Sequence, residues 1–436
     1  MSTRDQLIKK LAPKEFSKLG VIWVSLLCIV SLVGIIAYID QIIRGLEVTN
    51  LRDYAIWGVY ISNFVFFVAT SFVGAFTASI LRLSQKKWRT PLVRIAEIVA
   101  VAAIAMAGVA IILDMGRPDR IHYLFIYPRL QSPIAWDIII ITIYLAFSLM
   151  LLYIPSIPDF SILKKHYQDK PFLSKVYGFL AINWTGSAQQ IKIHEKSIKV
   201  IAISMIPLAL ILQSVDAWLF STTYRIGWDS TNLGPYFIAG AFVAGTGALI
   251  TALYMVRKFN HLEEFITEKH FDKLGRLLVF ACLVYLYFNI NEYLIPAFKS
   301  KEGEVEHLKE LFFGHYSLMF WFAVGGGLIL PSILLMYRKM RKPFPIFIIA
   351  ILVVVASWWK RYIIVSPALL HPFMPIQGVP EKWGEYSPST HEWLITFGTL
   401  ALSILIITIL VRFIPVIPIQ RTIEEMGIEA TENDKN

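Results

Sequence analysis

Three carboxylates stand at the margins of long apolar runs. Asp114 closes one run in Leu113-Asp114-Met115-Gly116-Arg117-Pro118-Asp119-Arg120. Asp137 opens the next in Ser132-Pro133-Ile134-Ala135-Trp136-Asp137, and Asp216 lies late in a third in Ser214-Val215-Asp216-Ala217-Trp218. An ionisable side chain inside hydrocarbon costs about 2.5–3.5 kcal/mol, so each is a candidate site by default. Carboxylates held there are suited to take up and release protons. For Asp114 a second reading stands, a loop-fixing ion pair with Arg117. Asp137 and Asp216 have no cation near them in sequence. Trp136, Trp218 and Tyr236 would wall such a pocket, and His122 and Arg129 lie in the adjoining loop.

Further polar groups fall inside apolar runs. Glu97 either pairs with Arg94 three residues before it or serves as a proton inlet from the other side. Asn63, Asn289 and Asn291 are amides of the kind that join helices, and Glu292 is close enough to Lys299 and Lys301 to pair with them. Lys360 and Arg361 follow Trp358 and Trp359. They either snorkel to a headgroup layer or pair with the aspartates. All nine histidines lie in loops or near the ends of apolar runs, so no axial pair for a membrane haem is expected. The two cysteines, Cys28 and Cys282, are isolated, and no CxxC exists. Neither an iron–sulfur cluster nor a metal site is therefore expected in this chain. There is no Walker loop and no dinucleotide-binding fingerprint.

The elements that must position these groups are membrane spans. Of 436 residues, 56% are apolar and 17% charged, against about 45–50% and about 25% in soluble domains. Ten apolar runs reach the length that crosses a bilayer: 20–42, 54–82, 91–114, 134–155, 197–219, 233–256, 275–297, 314–337, 344–366 and 390–415. The expected fold is an all-α integral membrane protein. Alternate loops differ in charge: 29 of the 41 Lys and Arg fall on the side that carries both termini, which the positive-inside rule makes cytoplasmic. The net charge of +10 thus serves orientation and lipid contact, and nucleic acid is not an expected partner.

An aromatic cluster followed by small residues recurs in spans two (Tyr60-Ile61-Ser62-Asn63-Phe64, Gly74) and six (Pro235-Tyr236-Phe237-Ile238-Ala239-Gly240, Gly245). Spans 2–5 and 6–9 would then be two four-helix bundles, with spans 1 and 10 peripheral. In residues, the expected divisions are a cytoplasmic segment 1–19, span 1 with its loop 20–53, a first bundle 54–219, a second bundle 220–366, a cap and last span 367–415, and a tail 416–436. The basic, aromatic segment 156–196 is either an interfacial anchor or a docking surface for a partner.

The chain resembles the NrfD/PsrC family, the quinone-interacting membrane subunits of respiratory redox complexes. The matching runs are Ile61-Ser62-Asn63-Phe64-Val65, Lys87-Trp88-Arg89-Thr90, Leu113-Asp114-Met115-Gly116-Arg117-Pro118, Ser132-Pro133-Ile134-Ala135-Trp136-Asp137 and Gly234-Pro235-Tyr236-Phe237-Ile238-Ala239-Gly240-Ala241. Arg361-Tyr362-Ile363-Ile364-Val365 before a Pro-rich loop matches too. The ten-span branch includes DsrP/HmeB-like subunits and the larger subunits of alternative complex III; Asn291-Glu292-Tyr293-Leu294-Ile295-Pro296 looks most like the DsrP side. The resemblance implies a menaquinone pocket in the first bundle near the outer face, an iron–sulfur subunit docked outside, and further membrane and cytochrome subunits. It carries Asp137 and Asp216 over as pocket carboxylates, and Asp114 and Arg117 as part of the outer loop. Asn63 falls in a matching run and joins the pocket candidates, while Glu97, Asn289 and Glu292 are candidates for a proton path. One departure is a histidine of the family's span two, where this chain reads Ser71-Phe72-Val73-Gly74; His122 is a candidate substitute. A secondary transporter is the competing class, because internal repeats suit one. A purely structural anchor is the third.

Overall fold

The computed structural model describes residues 3–53, 55–84, 90–223, 225–371 and 385–428. Lys87-Trp88-Arg89 and residues 372–384 of the expected cap loop lie outside the described residues. In hydrocarbon a backbone must satisfy its own polar groups, and a helix does so within one segment. Ten helices are long and apolar enough to cross a membrane. They are α1 (Lys18–Arg44), α2 (Val59–Leu83), α3 (Thr90–Asp114), α4 (Pro133–Tyr153), α5 (Ala188–Ser221), α6 (Leu233–Phe259), α7 (Glu268–Lys299), α8 (Ser317–Met336), α9 (Pro343–Leu369) and α10 (Thr390–Phe413). No strand occurs among the described residues. The protein is an all-helical, multi-pass integral membrane protein.

Helices α2 to α5 pack as a ring, and α6 to α9 as another; α2 against α6 joins the two, and α1 with α10 forms a pair laid against α3. Burial follows this order. The apolar window of α2 is 83% buried and that of α1 only 17%, so α2 is core and α1 a peripheral, lipid-facing helix. Close approach comes from small residues, as it must where lipid gives no hydrophobic drive. A methyl group on Gly245 would lie 2.5 Å from Val73 Cβ, and one on Gly34 would lie 2.7 Å from Gly398 Cα. The first sets the seam between the rings and the second the α1–α10 crossing.

Two segments differ from the sequence reading. The connection 156–196 folds into helices Ile157–His166 and Pro171–Leu180 ahead of α5. Its Tyr177 is buried, stacked on Phe160, Tyr167 and Phe413. Its prolines and short apolar stripes start helices too short for periodicity to reveal. Within α8, residues Phe322–Ile329 form a π-helix around Gly325-Gly326-Gly327. Such widened turns recur at functional sites.

Candidate carboxylate site between the bundles

Pro133 starts α4 at the position where a missing N–H costs nothing, and this places Asp137 just beyond the first turn. Asp216 lies five residues before the end of α5. On α5, Ser214, Trp218 and Ser221 share one face and Asp216 points the other way, as helical spacing requires. Asp137 is 3% exposed and Asp216 fully buried, and the two lie within electrostatic reach of each other. Arg361 of α9 is also buried and lies within reach of Asp216. Its Nη2 donates to the Phe237 carbonyl (3.4 Å), and its guanidinium lies 4.7 Å over the Phe237 ring.

Most of the hydrogen-bonding capacity here is unused. Neither oxygen of Asp216, nor Asp137 Oδ1, nor Arg361 Nη1 has a hydrogen-bond partner among the described residues. The amide of Gln213, one turn before Asp216, is buried and unpartnered at both atoms. Leaving buried polar groups unmade costs about 1–3 kcal/mol each, more for charges. Buried polar groups in folded proteins nearly always have a partner, which makes this set a candidate site. The donor set has two acidic acceptors, a guanidinium N–H and an amide that can play either role. Such a set can both donate to and accept from an oxygen-bearing ligand.

The remaining candidates go elsewhere. Asp114 is half-buried, with Oδ1 unpartnered, near Tyr60 and Glu392. Arg117 does not join it. It is exposed and pairs with Asp119 at 3.0 Å, each holding the other charged: the Asp119 carboxyl sits below its usual range and the Arg117 guanidinium above. His122 is exposed at the loop, its ring 4.3 Å from that of Tyr123. Trp136 is 37% exposed and donates to the Leu130 carbonyl. Trp218 is 49% exposed and lines a groove of about 870 Å³ between α5, α6 and α7, on the far side of α5 from Asp216. Tyr236 turns into the second ring, 3.4 Å from Asn289 Oδ1. The three aromatic residues therefore do not close around the carboxylates.

Asn63 is a joint. Its amide donates to Thr396 (3.0 Å), and its carbonyl accepts from Trp358 (2.7 Å), which ties α2 to α10 and α9. Glu97 pairs with Arg82 (2.6 Å) and more loosely with Arg94 (3.8 Å). Arg94 in turn holds Asp159 at 3.1 Å, whose other oxygen accepts the Gln420 N–H of helix Ile419–Glu425. Asn289 donates to the Tyr285 carbonyl (2.7 Å), and Asn291 to that of Tyr287. Glu292 accepts from Ser230 (3.0 Å) and Asn232 (3.1 Å) rather than meeting Lys299 or Lys301. Gln213 is not among the residues that the sequence singles out. A lone amide inside Ile211-Leu212-Gln213-Ser214 is the one signal it carries.

Fold and site together define a multi-pass helical membrane protein with buried carboxylates among its spans. Residues 47–372 match the family described as polysulphide reductase, NrfD, and the chain belongs to that family. It is 25% identical to a Halobacterium salinarum protein provisionally named as a membrane subunit of dimethyl sulfoxide reductase, over 95% of this chain and 96% of the other. It is 22% identical to the menaquinone reductase integral membrane subunit of Nitratidesulfovibrio vulgaris, over 88% and 89%. It is 23% identical to a protein of Escherichia coli provisionally named the b-type cytochrome subunit of Ni/Fe-hydrogenase 2, over 87% and 88%. The first two of these relatives are named as membrane subunits of reductases.

Proposed function

We propose that this chain is the quinone-interacting membrane subunit of a respiratory redox complex, exchanging electrons between menaquinol and an iron–sulfur partner subunit. The observation that carries this reading is the Asp137–Asp216–Arg361 centre, whose unpaired buried groups match the oxygens of a quinone. When bound, the quinol supplies two protons and two electrons, which leave separately. Asp137 and Asp216 accept and relay the protons. Arg361 opposes the negative charge of the pair and orients an oxygen through Nη1, and Gln213 can donate or accept beside them. A positioned base of this kind contributes about 10²–10⁴-fold to rate.

The termini-bearing face is the cytoplasmic one on the charge argument, and the face bearing Asp137 and Asp216 lies outside, where the partner docks. Protons leaving the carboxylates have the shorter route to that side. Ion pairing of Glu97 with Arg82 and Arg94 supports a closed inner end. On this reading the chain holds no haem of its own, its nine histidines lying in loops or near the ends of apolar runs. The cytochrome name of the hydrogenase relative makes this a point to measure.

Gentle extraction of the native complex tests the reading, with quinone analysis and a visible spectrum of what co-purifies. Menaquinone together with an iron–sulfur subunit, and no haem assignable to this chain, is the expected result. A lone chain free of quinone overturns it and favours a transporter.

A further inference from the structure

Lys360 and Arg361 are neighbours on α9, and successive helical side chains point about 100° apart. Arg361 faces Asp216. Lys360 faces the other ring of helices and is only 3% exposed. Its Nζ donates to the Tyr293 hydroxyl at 2.6 Å and lies 4.8 Å over the Tyr293 ring, 5.0 Å over Phe320 and 5.9 Å over Tyr236. Glu292 is within its electrostatic reach. An ammonium in an aromatic cage, with its carboxylate at a distance, keeps its charge only through the field around it.

Glu292 adjoins a cavity. A cavity of about 40 Å³ is lined by Tyr236, Glu292, Tyr293, Glu304 and His307. A single water needs about 10–15 Å³ of such space, so one or more fit. His307, on helix Glu302–Phe312, is buried with Nδ1 unpartnered and its ring 5.5 Å from that of His371. Burial and the nearby His371 push His307 down to about 3, so it is neutral. The titratable groups facing Glu292 are Asp229, Tyr236, Tyr285, Tyr293 and Lys360, with Glu304 and His307 across the cavity.

We propose that Glu292 and Lys360 form a second proton-binding site, opened outward through the His307 cavity and coupled to the carboxylate centre through the Lys360–Arg361 pair. The coupling rests on the quinol reading of Asp137 and Asp216. When that pair takes up a proton, the charge of Arg361 loses its counterweight. The field then disfavours the Lys360 ammonium, which passes its proton to Glu292 and on to the cavity. When the pair releases its proton, Lys360 takes one back. Only protons move, and the site empties as the first one fills.

The test is infrared difference spectroscopy of the native complex on adding menaquinol, in light and heavy water. The expected result is a carboxyl C=O band that vanishes in Glu292→Gln and shrinks in Lys360→Met, with quinol turnover within about threefold of wild type. Tyr293→Phe removes the hydroxyl that accepts from Lys360, keeps the ring, and should shift the same band. Superimposable wild-type and Glu292→Gln spectra overturn the proposal. So does a Lys360→Met complex as inactive as Asp216→Asn, because Lys360 would then belong to the quinol site. If instead Asp137→Asn and Asp216→Asn retain turnover while the Glu292 band persists, the quinol reading fails and the second proton site stands without its coupling.

Discussion

The two helix rings hold buried polar centres of opposite kind. In the first, Asp137, Asp216 and Gln213, with Arg361 reaching in from α9, leave much of their hydrogen-bonding capacity unused. In the second, Glu292 accepts from Ser230 and Asn232, Tyr236 meets Asn289 and Lys360 donates to Tyr293, and a small cavity adjoins them. Satisfied networks rigidify a bundle, whereas unsatisfied ones cost free energy and persist where something else completes them. On the proposed function, the first centre is kept for a ligand and the second can hold and pass protons.

The largest effects should come from removing the unsatisfied groups. Asp216→Asn and Asp137→Asn should each lower quinol turnover of the isolated complex by about 10²–10⁴-fold, the range for loss of a positioned base. Arg361→Met should follow. Without the guanidinium the two carboxylates face each other unopposed, and turnover should drop about 10–100-fold, with Arg361→Lys recovering only part because an ammonium lacks the planar fork. If Arg361→Met matches wild type, the comparison between the two centres loses its basis.

A packing change should separate the rings without touching either centre. Gly245→Leu drives a side chain into Val73 and should cost about 1–3 kcal/mol of stability, read as a lower unfolding midpoint in detergent. The second centre offers a pH test. His307 lies in a helix outside the spans and is held neutral, pushed down to about 3 from 6.5. A histidine kept neutral by the fold adds stability that is complete above the unfolded value and is lost as pH falls from there toward the folded one. Thermal midpoints should therefore decline between about pH 6.5 and lower values, and His307→Gln should flatten that decline. Equal slopes would mean that the histidine is not buried as described. The smallest effect belongs to the loop. Arg117→Ala removes an exposed, solvent-screened pair and should leave turnover within about threefold of wild type.

Hydropathy made the ten spans legible, because lipid imposes length and backbone satisfaction on every segment. Asp137 and Asp216 stood out for the same reason: charge in an apolar run is rare. What the sequence hid depends on rotation about helix axes. Trp218 stands two residues from Asp216 and faces away from it. Lys360 and Arg361 read as one basic pair but serve different rings. Asn63 sits in a run shared with the family yet spends both ends of its amide on Thr396 and Trp358. The π-helix of α8 left no mark beyond three glycines.

The sharpest single measurement is the turnover of the isolated complex carrying Asp216→Asn, with bound menaquinone counted in the same sample. The carboxylate centre predicts that quinone is retained and turnover falls by at least about a hundredfold. Wild-type turnover with quinone in place would contradict it and would move quinol chemistry away from this pair.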